Sequence, residues 1–182
     1  MCYLRLELLE YAELLFLSLE LIEIISKEGQ KMNIVDDFNE IMEHAHYWNW
    51  LPDWGVVKDI YQAFPESYSV LIPFAYAYLE ELIRSTTSEY GIEIRDEMGN
   101  LKKRKVGVKL LELAIKENKS NNSEFVVMLE KMKPYYTFSQ PTDRGDNRNS
   151  VVHGYMHSRF WDKDSFENLV HDIALISKHA QF

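Results

Sequence analysis

Arg148, Asn149 and His153 fall within six consecutive residues, Arg148-Asn149-Ser150-Val151-Val152-His153. A guanidinium, an amide and an imidazole this close together can do acid–base chemistry on a phosphodiester without a metal. The imidazole titrates near neutrality and serves as general base or general acid. The guanidinium keeps its charge and offers planar donors to phosphoryl oxygens as negative charge grows in the transition state. Asn149 can orient His153 or bond the phosphate, and it adds no charge that would shift the histidine. With seven Arg, ten Asn and six His in 182 residues, Arg-Asn-x3-His is expected by chance only about 0.01 times per chain.

To act together these groups need one element to carry them. A helix is predicted from about Asp146 to His157, and at about 100° per residue it places Asn149, His153 and His157 on one stripe. Arg148 precedes the stripe and can reach the same cavity, while Val151, Val152 and Tyr155 pack elsewhere. His157 either extends the site or stands one turn beyond it. On RNA the reaction is attack of the ribose 2′-hydroxyl on the adjacent phosphate, giving a 2′,3′-cyclic phosphate and a 5′-hydroxyl. The plainer alternative pairs Arg148 and His153 with Asp143, Asp146 or backbone carbonyls.

Arg148-Asn149-x3-His153, followed by Gly154 in a helical chain, resembles the signature of the HEPN superfamily. The helix ending Ala75-Tyr76-Ala77-Tyr78-Leu79-Glu80-Glu81-Leu82-Ile83-Arg84 is similar to that family's acidic-residue helix. The resemblance implies a compact helical bundle and often a two-fold dimer. It also implies, in many members, a metal-independent ribonuclease of toxin–antitoxin or phage-defence systems. A dimer would join two copies of Arg148 and His153 in a composite site, with an antitoxin protein as a further partner.

Composition sets the frame. At 46% hydrophobic residues with seven Gly and five Pro, global disorder is excluded, and 182 residues suit one domain with its own core. The single cysteine, Cys2, excludes an internal disulfide and a Cys-based zinc site, and points to a reducing cytoplasm. From Leu4 to Ile25 the apolar residues are interrupted by Glu7, Glu10, Glu13, Glu20 and Glu23, too many ionised groups for a membrane span or a signal peptide. Residues 1–31 are expected to form a Leu/Glu-rich helix packed on the bundle, a second subunit being the other destination for its apolar surface. Met32 is an alternative start.

The net charge of −9 is unevenly spread, −13 over residues 1–98 and +4 over 99–182. Lys102-Lys103-Arg104-Lys105 leads a run with Lys109, Lys116, Lys119, Lys131 and Lys133. It reads either as a solvated face on two helices or as a groove tracking an RNA backbone.

The periodicity predicts an all-α bundle of about seven or eight helices in a single domain, 1–182. Helices are expected at about 3–27, 33–47, a short one ending at Phe64, then Pro65 to about Thr86 with a kink at Pro73. Others follow at 105–118, 122–133 and from Asp164 onward, the last burying Phe166, Leu169, Val170, Ile173 and Ile176. Trp48 to Gly55 reads as an aromatic turn, and 90–105 as an ordered loop or at most a minor hairpin.

Other residues offer less. Glu80 or Glu81 could bond Arg148 or His153, with a surface carboxylate as the default for both. Arg84 suits a surface pair with Glu80. His44 and His46, two apart, point in different directions and make no metal site. No cofactor or metal is expected, and no phosphate-binding glycine loop or serine elbow is present. Besides a ribonuclease, two readings stay open. One is a module of the same fold that binds nucleotide, RNA or protein without cutting. The other is an interaction protein whose acidic front half docks a basic partner.

Overall fold

A computed structural model describes residues 33–182, of which Ile34–Phe182 forms one compact unit. The expected N-terminal helix lies outside the described residues. Among the described residues the fold is all-α, with seven α-helices, three short 3-10 turns and no strand. The helices are α1 (Ile34–His44), α2 (Leu51–Ala63), α3 (Tyr68–Ser85), α4 (Val108–Asn118), α5 (Ser123–Lys131), α6 (Arg148–Val152) and α7 (Lys163–Ser177). None is long and apolar enough to cross a membrane.

α3 is the axis of the bundle. Its Leu71, Ile72, Ala75, Tyr76, Tyr78, Leu79, Leu82 and Ile83 are buried, because apolar residues occupy most of its circumference and demand neighbours on several sides. Those neighbours are α7, α4 and α6, while α1 packs on α7 and α2. α7 buries the five residues expected of it. Its start is fixed by Asp162, whose side chain accepts the Ser165 N–H at 2.8 Å, a cap that satisfies one free donor of the first turn.

Two prolines mark where chain and expectation part. Pro52 and Gly55 do not break the chain; they lie in the first turns of α2, where Pro52 has no partner to lose. Pro65 opens a 3-10 turn, Pro65–Ser67, before α3 begins at Tyr68. The residue ahead of a proline avoids the helical region, and Phe64 is indeed non-helical at φ −138°. Of the aromatic cluster, Trp54 is fully buried, and Trp50 meets Phe74 and Tyr78 edge-on. Trp48 instead stands exposed beside Tyr47.

Residues 86–107 form an ordered loop with one antiparallel bridge, Arg95 to Leu101. Asp96 closes its tip by accepting the N–H groups of Met98 and Asn100 at 2.9 and 2.8 Å, a local turn that needs no support from the bundle.

Candidate functional site

The motif helix α6 has only five residues, against the twelve expected. It starts at Asn147, whose side chain accepts the Ser150 N–H at 3.0 Å. It stops because Gly154 takes φ +64°. There the Tyr155 N–H reaches the Ser150 carbonyl at 3.0 Å and the Gly154 N–H approaches the Val151 carbonyl at 3.4 Å. That is a Schellman ending, which favours a glycine just past the helix. The stripe Asn149–His153–His157 therefore does not form. His157 lies beyond the helix with extended backbone, its Nδ1 accepting the Arg159 N–H at 3.1 Å to start the Ser158–Phe160 turn.

Asparagines tie α6 to the 3-10 turn Lys133–Tyr136 and the residue after it. The Asn147 amide donates to the Thr137 carbonyl and hydroxyl at 3.1 and 3.0 Å, and the Asn149 amide donates to the same carbonyl at 2.9 Å. Asn149 thus fastens the backbone, and its oxygen sits 3.4 Å from an Arg148 terminal nitrogen. The loop that delivers α6 is pinned too. Gly145 (φ +99°) is wedged so closely that a Cβ would lie 2.8 Å from Ile72 Cδ1, and its carbonyl accepts the Tyr76 hydroxyl at 3.0 Å.

Arg148 meets Glu80 across 68 residues of sequence, with Nε 2.7 Å from Oε1 and the two side chains 15% and 12% exposed. The Nε–H is not aimed at that oxygen, so charge holds the pair without a hydrogen bond between these atoms. Glu80 is accordingly no surface carboxylate. Tyr136, 5% exposed, completes the cluster with a buried hydroxyl that has no hydrogen-bond partner among the described residues. Burial and the nearby Glu80 charge push its pKa far above the ordinary range, and Arg148 offsets part of that.

Between α3 and α6 runs a groove of about 290 Å³. Pro73, Tyr76, Ala77 and Val152 supply apolar wall, and Glu80, Glu81, Arg84 and Arg148 supply charge. His153 follows Val152 directly, is exposed, and makes no side-chain hydrogen bond among the described residues.

Arg84 is not the surface partner of Glu80 that helical spacing suggests. It is 6% exposed, donates to the Lys105 carbonyl at 2.8 Å, and lies 3.6 Å from Glu81 and 3.7 Å from Glu89. The last turn of α3 faces the 86–107 loop, and a buried guanidinium needs these acceptors. Burial raises the Glu89 pKa, but hydrogen bonds from the Lys105 side chain and backbone, with the Lys105 and Arg84 charges, hold it below the usual carboxylate range. Within the basic run Lys105 is therefore engaged by Glu89 at 2.6 Å, and Arg104 donates to the Ile92 carbonyl at 2.8 Å. Lys102 and Lys103 are exposed. Residues 102–105 lie on the loop, while Lys109, Lys116 and Lys131 further along stand exposed on α4 and α5, and the Lys105 end abuts the groove through Arg84.

Two other histidines bond across the bundle. His171 bonds Asp37 between α7 and α1, and His179 bonds Asn122. The metal-like spacing among the described residues is Glu40, Glu43 and His44 on one turn of α1, not His44 with His46. Tyr136 escaped the sequence reading altogether, because its burial depends on α3 and α6 and nothing local marks it. Comparison with protein-family models, curated proteins and solved structures finds no match to this chain.

Proposed function

We propose that this chain is a metal-independent endoribonuclease of the HEPN type, working as a cytoplasmic homodimer in a toxin–antitoxin or phage-defence setting. The observation that carries the reading is the setting of Arg148. Its guanidinium is anchored by Glu80 at the wall of a groove, and the exposed, unengaged His153 follows one turn later. One His153 takes the 2′-hydroxyl proton as the 2′ oxygen bonds to phosphorus. The bond from phosphorus to the 5′ oxygen breaks, and that oxygen receives a proton from an acid. Arg148 steadies the charge on the phosphoryl oxygens. A single imidazole cannot be base and acid in the same step, so a second copy supplies the other. Exposed Val152 and Tyr155 beside His153 offer apolar surface for that contact. Lys102 and Lys103 would draw the RNA backbone.

The test is RNA cleavage in excess EDTA by wild type, His153→Ala and Arg148→Ala. Cleavage by wild type alone, ending in cyclic phosphates, supports the reading, and none from folded wild-type dimer sinks it. A second reading is a module that holds nucleotide or RNA without cutting. The offset of Arg148's charge by Glu80 and the commitment of the Asn149 amide to backbone favour it. A dimer that binds RNA but never cuts would establish it.

A further inference from the structure

The α3/α6 groove is charged yet formally neutral, since Glu80 and Glu81 balance Arg84 and Arg148. A phosphate entering it would meet two carboxylates along with the guanidiniums. A neutral, planar molecule with both donors and acceptors meets no such conflict. The volume, about 290 Å³, lies at the lower end for small-molecule pockets, enough for a single base. Pro73, Ala77 and Val152 give such a ring apolar wall.

Glu81 selects among the bases. Its side chain is 32% exposed, and Arg84 Nε stands 3.6 Å away, beyond good hydrogen-bond length. The carboxylate is thus open to donors from the groove. Guanine alone among the RNA bases presents two adjacent donors, the ring N1–H and the 2-amino group, to a carboxylate. Its O6 and N7 accept from a guanidinium. Uracil offers one N–H between two carbonyls, which a carboxylate repels. Adenine and cytosine set an acceptor nitrogen beside their amino group, with the same penalty.

We infer that this groove is a guanine subsite, with Glu81 reading the N1–H and 2-amino edge of the base next to the scissile phosphate. The inference rests on the ribonuclease reading for that last clause only. Val152 lines the groove and His153 follows it, so a base seated there leaves its phosphate beside Arg148 and His153.

The experiment is calorimetric binding of the four nucleoside 3′-monophosphates to the full chain, with inosine 3′-monophosphate as a fifth probe. Guanosine 3′-monophosphate should bind about tenfold or more tighter than the other three. Loss of the 2-amino group in inosine should cost several-fold, a test that needs no variant. Glu81→Gln should erase the guanine preference. Equal affinities for the four nucleotides, or no binding, overturn the inference. RNA cleavage is scored separately. Cutting with no nucleotide preference leaves the ribonuclease and removes the subsite, whereas a guanosine preference without cutting keeps the subsite and removes the ribonuclease.

Discussion

The two ends of the α3/α6 groove each hold an arginine that is largely out of water, and they treat it differently. At the Arg84 end a carbonyl and two carboxylates surround the guanidinium, and Glu89 in turn binds Lys105. At the Arg148 end one carboxylate stands at contact distance but badly aligned, and the nearby Tyr136 hydroxyl has no hydrogen-bond partner among the described residues. The first is a strut tying α3 to its loop. The second is a charge set in place with bonding capacity to spare, which is what a group that must turn to a ligand requires.

Substitutions can break that contrast. Arg148→Lys, which keeps charge but loses the planar fork, should cut RNA cleavage by about 10²–10³-fold with little change in melting temperature. A large loss of stability would instead make Arg148 the strut. Arg84→Ala should instead cost about 3 kcal/mol in denaturant unfolding, because Glu89 loses one of its two cations. Gly145→Ala should cost about 2–3 kcal/mol through the Ile72 contact and positive φ, and Gly154→Ala only about 1 kcal/mol, since open space surrounds it. Unfolding free energies of the pair would rank them.

Acid sharpens the contrast further. The Glu89 pKa is held down in the folded protein, so its contribution is full above the unfolded value of about 4.3. That contribution is lost as pH falls through the lower folded value. Glu89→Gln should flatten stability against pH in this window. A profile unchanged by the substitution would remove Glu89 from the strut.

Much of the described fold was legible in the sequence. The face of α7 follows from apolar spacing alone, and α4 and α5 end within a few residues of the turns that bound them. The motif helix was misjudged in length although its stop signal was present. Gly154 directly follows the motif and, with its positive φ, is also the residue that ends the helix. Glu80 stood as one of two candidates to meet Arg148, since only packing of α3 against α6 decides between adjacent carboxylates. The Arg84 strut was hidden by its own local plausibility, an i, i+4 pair on a helix face that in fact turns inward.

The turn at Asp96–Asn100 closes on itself, far in sequence from α3 and α6 and exposed along its length. Chain added or removed at such a tip disturbs little else. Lys102 and Lys103 ride just behind it, while Lys105 is anchored. Evolution can therefore lengthen, shorten or recharge this arm as a separate module while the groove and its arginines stay as they are.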